Sequence, residues 1–220
     1  RSAMSAASAQ RVDHVGSLLR PPELREAWFA HEEGKLPAAE LAAVEDKAIR
    51  EAVALQEGLG LAFVTDGEFR RGGWSRGFLT AVEGFGFKPS KLVFHNDQGV
   101  ATAAPAPVAV GRLRQKAPIV AEDFQFLKGC AHATPKVTMP TPSHMHFGHF
   151  GDCFDRKAYA DIGQFYEAMI AIYRAEIADL AKRGCTFLQL DEVPLTLLCD
   201  ETNRGIARQL HEDRVEGRQG

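Results

Sequence analysis

Between Arg156 and Arg183 apolar side chains recur at Tyr159, Ile162, Tyr166, Met169, Tyr173, Ile177 and Leu180, and Gly184 closes the run. That three-four spacing is one face of a long helix. Residues 37–60 read the same way, with Leu41, Val44, Ala48, Ala52, Leu55 and Leu59 on the apolar stripe, Pro37 at its start, and Gly58 and Gly60 at its end. A shorter helix is predicted at PPELREAWFAHEEG and another at IVAEDFQFLKGCA. Between the helices lie short apolar runs with strand character. RVDHVGSLL is extended, LAFVTDGEF is a second strand, APVAVGRLRQ a third, PKVTMPTP a fourth stopped by Pro140 and Pro142, and CTFLQLDEVPL a fifth. The Gly- and Phe-rich stretch near 84–106 reads as a hairpin-like excursion. Strands alternating with helices predict a parallel α/β sheet, in which binding groups gather beyond the carboxyl ends of the strands.

Two of those strands end in acids: Asp66 and Glu68 flanking Gly67, and the adjacent pair Asp191 and Glu192. Such carboxylates suit a ligand amine, and they equally suit helix capping, since Pro194 stands ready at a first helical turn. Gly16 and Ser17 form a tight turn whose backbone N–H groups and hydroxyl can hold a carboxylate. His144, His146 and His149 have the look of metal ligands but fall in a loop beyond two prolines. Arg112 and Arg114 offer forks for an anion, although a scattered surface arginine is the commoner case.

At 220 residues with 45% apolar content the chain can bury a sizeable core. A formal charge of −3 with mixed signs gives no footprint for nucleic acid or an anionic membrane, and charge says little else about partners. Four cysteines without a C-x-x-C pair, and a start (RSAMSAASAQ) with no apolar h-region, lead to the expectation of reduced thiols, a disordered tail over 1–10 and a cytoplasmic location. The absence of a G-x-G-x-x-G or P-loop pattern argues against dinucleotide and nucleoside-triphosphate chemistry.

RVDHVGSLLRP, VTDGEFRRGGW, KVTMPTPS and LQLDEVPL together resemble, in order and spacing, the cobalamin-independent methionine synthase family, in its catalytic C-terminal barrel and shorter single-domain relatives. The likeness covers roughly residues 11 to 200. It implies a (β/α)8 TIM-barrel type fold and transfer of a methyl group from 5-methyltetrahydrofolate, usually a polyglutamate, to the thiol of homocysteine. By matching position, Gly16 and Ser17 meet the carboxylate of homocysteine, and Glu68 and Asp191 meet its ammonium. The resemblance also places Arg112 or Arg114 near the folate, with Trp74 a candidate flat face for the pterin.

The family's zinc ligands, a His-x-Cys pair, a Glu and a distant Cys, belong to strands six to eight, and none of Cys130, Cys153, Cys185 and Cys199 sits in that motif. The expectation is a barrel cut to about five of its eight βα units over residues 11–200, followed by a polar tail over 201–220. Zn2+ is then expected for the family but not held by this chain, and the open barrel edges predict a homo-oligomer. Two rival readings stand beside the methyltransferase: a non-catalytic homocysteine- or amino-acid-binding fragment, and a barrel metallohydrolase using His144 and His146.

Overall fold

A computed structural model describes residues 13–95, 98–99, 101–102 and 104–215; the expected tail over 1–10 lies outside them. In chain order the elements are α1 (Pro22–Glu32), α2 (Ala38–Gly58), β1 (Phe63–Val64), α3 (Arg76–Ala81), β2 (Val82–Pro89), β3 (Phe94–His95), β4 (Ala101–Thr102) and β5 (Pro105–Gln115). They continue with α4 (Ala121–Cys130), β6 (Thr134–Pro135), β7 (Val137–Pro140), α5 (His144–Phe147), α6 (Ile162–Lys182), β8 (Leu188–Asp191) and α7 (Glu201–Val215). Among the described residues the strands pair two by two: β1 with β6, β2 with β5, β3 with β4, and β7 with β8. No helix among them is long and apolar enough to cross a membrane.

The chain divides into two compact units. The first comprises the residues up to Gly77 with Val120–Met139 and Glu176–Gln189; the second comprises Phe78–Ile119, Pro140–Ala175 and Leu190 onward.

In the first unit β1 and β6 are parallel, Phe63 opposite Thr134 and Val64 opposite Pro135, and the Lys136 N–H continues the ladder to the Val64 carbonyl at 2.8 Å. Helix α2 presents Leu41, Ala48, Ile49, Ala52 and Val53 to the core. Its buried face is turned from the predicted stripe, because Leu55 and Leu59 are exposed while polar Glu45 and Gln56 are buried. Gln56 is buried because its amide closes on strand backbone: Oε1 accepts the Thr65 N–H at 3.0 Å and Nε2 donates to the Thr65 carbonyl at 2.9 Å. Helix α4 has no side-chain cap of its own. Glu176 of α6, fully buried, accepts the N–H groups of Val120 (2.7 Å) and Ala121 (2.9 Å) and so caps it from a distant point in the sequence.

In the second unit the run predicted as a third parallel strand pairs antiparallel with β2 instead. It is one side of a long hairpin, with β3 and β4 paired further along the same arm. Alternate residues of β5 are not consistently buried, and a bulge between Glu83 and Phe85 bends β2. Gly84 makes the bulge possible, since its φ is +98° and a Cβ there would lie 2.5 Å from the Arg112 carbonyl oxygen. The long helix also starts later than its apolar spacing predicts, at Ile162. Tyr159 lies outside it as a core residue whose hydroxyl oxygen accepts the Leu113 N–H at 2.7 Å. The 201–220 stretch carries α7, anchored by buried Asn203, whose amide accepts the Val93 N–H at 3.0 Å and donates to the Val93 carbonyl at 2.9 Å.

Glu176→Ala leaves two buried N–H groups without an acceptor and is expected to cost on the order of 3 kcal/mol. Calorimetric melting should show a fall in Tm of roughly 6–12 °C. An unchanged melt would mean that α4 does not depend on this cap.

Candidate functional site

The strand β1 runs out into Thr65-Asp66-Gly67-Glu68, a turn wired at almost every polar atom. The Asp66 Oδ1 accepts the Glu68 N–H at 2.9 Å, and the Thr65 hydroxyl oxygen accepts the Gly67 N–H at 3.2 Å. Gly67 and Glu68 both adopt the left-handed region, at φ +67° and +56°. For Gly67 this is the conformation its missing Cβ permits; for Glu68 it is a strained one that the surrounding bonds must hold. The Leu18 N–H donates to the Gly67 carbonyl at 3.1 Å, and Arg20 Nη2 donates to the carbonyls of Glu68, at 3.0 Å, and Arg71. This ties the Gly16-Ser17 segment, with Gly16 at φ +84°, to the turn.

The result is a buried carboxylate at the strand end. Glu68 is 2% exposed; its Oε2 accepts the Ser17 hydroxyl at 2.8 Å and its Oε1 the Thr138 hydroxyl at 2.9 Å. Arg71, buried as well, places Nη1 3.9 Å from Oε1 and donates to the carbonyl and hydroxyl oxygens of Thr138 at 3.0 Å each. Among the described residues each carboxylate oxygen accepts one hydroxyl, which takes one of its two acceptor positions. Around this core several buried polar atoms meet no partner among the described residues: Asp66 Oδ2, and Nε and Nη2 of Arg71. Unmatched polar atoms of this kind concentrate at sites rather than in structural cores. Lys136, fully buried, reaches Asp13 Oδ2 at 2.8 Å and the His14 carbonyl at 2.9 Å, fixing the segment that leads into Gly16.

Behind the turn lies a charged layer. Arg70 sits between Glu45 (3.3 Å), Asp46 and Asp123 (3.6 Å). Burial, reinforced by the negative charge of Asp66, raises the Asp123 carboxyl to about 7 against the pull of Arg71 and Arg70. Burial also raises Glu45, opposed by Arg70.

Asp191 belongs to the second unit, at the end of β8, where its carbonyl accepts the Thr141 N–H at 3.0 Å. Its neighbour Glu192 holds the hydroxyls of Thr141 (2.8 Å) and Ser143 on Oε2, and Oε1 accepts the Leu195 N–H at 3.3 Å. Glu192 thus both caps the following turn and binds hydroxyls. Burial lowers His144 beside it to about 4, so that its imidazole is neutral at physiological pH. The other histidines of the H-x-H stretch are engaged elsewhere: His146 packs on Phe150 and Tyr166, and His149 Nε2 lies 3.3 Å from the Ala106 carbonyl. Among the described residues no three His, Cys, Asp or Glu side chains are grouped to hold a metal.

The arginines expected near a folate are on β5 in the hairpin. Arg112 stacks over the Tyr159 ring at 5.1 Å, and Arg114 pairs at 2.6 Å with Glu83 in solvent. Trp74 is half-buried in the first unit. Sequence reasoning brought Gly16, Ser17 and Glu68 to one place. It missed Arg71 and Thr138, which complete that place, and the only signal for Arg71 was its position three residues after Glu68.

Residues 12–211 match the family model of the cobalamin-independent synthase catalytic domain. The chain belongs to that family. It is 35% identical over 206 residues to the uncharacterized protein YxjH of Bacillus subtilis (strain 168), covering 92% of this chain and 53% of YxjH. It is 28% identical over 181 residues to a 5-methyltetrahydropteroyltriglutamate–homocysteine methyltransferase of Synechococcus sp. (strain JA-2-3B'a(2-13)), covering 82% of this chain and 23% of that enzyme. A crystal structure from Listeria monocytogenes, assigned to the vitamin-B12 independent methionine synthases, superposes with a TM-score of 0.67 at 28% identity, over 86% of this chain and 54% of that one. The chain therefore has an α/β fold similar to that of the TIM-barrel type synthase domain, and spans about half the length of YxjH.

Asp123, with a folded-state value near 7 against about 3.8 unfolded, binds its proton more tightly when folded. Its contribution is therefore present at low pH and lost as pH rises from about 4 to about 7. Urea melts at a series of pH values should show parent stability falling across that window. Asp123→Asn should flatten the fall and, near pH 8, be more stable by on the order of 1–2 kcal/mol.

Proposed function

We propose that this chain contributes the amino-acid-binding part of a methionine synthase-like methyltransferase, which moves a methyl group from 5-methyltetrahydrofolate to the thiol of homocysteine. The observation that carries the reading is Glu68, a buried carboxylate whose protein donors are hydroxyls and whose remaining acceptor positions suit an ammonium. Held at a strained φ between Ser17 and Thr138, it is preorganised and loses little freedom on binding. Gly16 and Ser17 then face the substrate carboxylate, and Asp191 takes the second contact to the ammonium that the family pattern gives it.

Where the family's zinc is bound, it would lower the pKa of a coordinated thiol and so favour its thiolate form. The described residues do not fit the metal: no grouped donors are present, and burial raises the half-buried thiols of Cys130 and Cys185. The part assigned to this chain is thus to bind and orient the amino-acid end of the substrate. A TIM-barrel type domain that pairs with another copy through exposed strand edges belongs to the same proposal. So do folate contacts from Arg112, Arg114 and Trp74.

Titration calorimetry with homocysteine tests it. Glu68→Gln and Asp191→Asn should each weaken binding roughly tenfold to a hundredfold, the loss of one charge-assisted hydrogen bond. Ser17→Ala should cost about tenfold by releasing Glu68 Oε2. Unchanged affinity in Glu68→Gln, with the fold intact, would overturn the assignment.

A further inference from the structure

Among the described residues, 13–21 belong to no helix or strand, yet they carry Ser17 to Glu68. An irregular segment has no ladder of its own and takes its position from what it is tied to. At its far end the ties run to the Glu68 turn: the Leu18 N–H donates to the Gly67 carbonyl at 3.1 Å, and Arg20 donates to the carbonyls of Glu68 and Arg71. In the middle lies Gly16, whose φ of +84° bends the chain and whose Cβ position would meet nothing within 4 Å, so packing does not fix the bend. At the near end the ties are a long 3.4 Å contact between the Thr65 hydroxyl and His14 Nδ1, and the side chain of Lys136.

The Lys136 ammonium is matched on every side. Nζ donates to Asp13 Oδ2 at 2.8 Å and to the His14 carbonyl at 2.9 Å, and it lies 5.1 Å from the centre of the Phe187 ring. The lysine side chain is wholly buried, whereas the Asp13 side chain keeps 43% of its surface in water. The lysine backbone is fixed as well, since its N–H donates at 2.8 Å to the carbonyl of Val64, which precedes Thr65 and the turn. Two residues further on, Thr138 leaves the same face of the extended chain and donates to Glu68 Oε1. One short run of chain therefore holds both the segment that brings Ser17 and the carboxylate that Ser17 meets. A buried ion pair is a poor source of stability, because desolvation offsets its attraction and apolar residues of like size often do as well or better. What Lys136 supplies is a fixed point.

We propose that Lys136 is a positioning residue for the amino-acid site: it anchors Asp13 and His14 so that, past the Gly16 bend, Ser17 already stands on Glu68 when substrate arrives. The inference rests on the amino-acid site proposed at Glu68 and adds to it a residue that touches no substrate. Without the anchor the segment samples other positions, and apparent affinity falls in proportion to the fraction of molecules in which Ser17 is in place.

Lys136→Met, close in length but uncharged, tests this by homocysteine calorimetry, thermal melting and amide hydrogen exchange. The melting temperature should hold or rise, since the half-exposed Asp13 carboxylate stays hydrated once its partner is gone. Homocysteine affinity should nevertheless fall about fivefold or more, and exchange protection of the Leu18 N–H about tenfold, with that of Phe124 in α4 unchanged. In a Ser17→Ala background the same substitution should cost less than about twofold in affinity, because the bond through which the anchor acts is already gone. A residue that merely supports the fold would instead lower the melting temperature and weaken both backgrounds alike. Asp13→Asn, which keeps an amide oxygen for the ammonium, should lie between the parent and Lys136→Met on both readouts, and it decides the matter if Lys136→Met does not fold. Unchanged affinity and Leu18 protection in the folded variant, or equal losses with and without the Ser17 hydroxyl, would overturn the proposal. A parent protein that binds no homocysteine would refute the site reading itself, and Leu18 exchange would still decide the anchor.

Discussion

A carboxylate taken almost wholly out of water must be given donors and a counter-charge, and at Glu68 the first unit supplies both from distant parts of the chain. Ser17 comes from the segment before α1, Thr138 from β7, and Arg71 from the turn itself. Thr138 reaches Glu68 because β6 pairs in parallel with β1 and β7 follows directly. The paired amide of Gln56 fastens the strand end to α2, and Arg20 fastens the turn's carbonyls to the segment before α1. The short parallel ladder and its flanking helices thus hold one strained residue in position.

That arrangement carries a cost which ordinary core packing does not. Among the described residues Asp66 Oδ2 and two Arg71 nitrogens are buried without partners, and Arg70 gathers three acids, one of which burial pushes to about 7. Charges of this density at the end of a strand weaken a fold unless they serve it elsewhere. They concentrate around the turn, apart from the aliphatic contacts of Leu24, Ile49 and Val53 that make up the unit's core.

The second unit follows a different logic. Its hairpin bends at the Gly84 bulge, Tyr159 accepts a backbone N–H from β5, and Asn203 ties α7 to Val93. Arg112 and Arg114 are spent on a ring and on Glu83 along the same arm. Hairpin and terminal helix are held through side-chain bonds to backbone, the means available where short strands leave N–H groups unpaired.

The sequence by itself determined the alternation of helices and strands, the acids at the ends of β1 and β8, and the family, because apolar period and local motifs are properties of neighbouring residues. It placed Gly16, Ser17 and Glu68 together through the spacing of known motifs. Only the tertiary structure decided the pairing of β5, since an apolar strand reads alike whether its partner runs parallel or antiparallel. The same holds for the buried face of α2, where Glu45 and Gln56 look like surface residues until Arg70 and Thr65 are brought against them. Glu176 capping α4 from 55 and 56 residues away and Thr138 bonding Glu68 across 70 are likewise invisible to periodicity. A polar side chain is buried or exposed according to the partner that satisfies it, and that partner is chosen by the fold, not by sequence proximity.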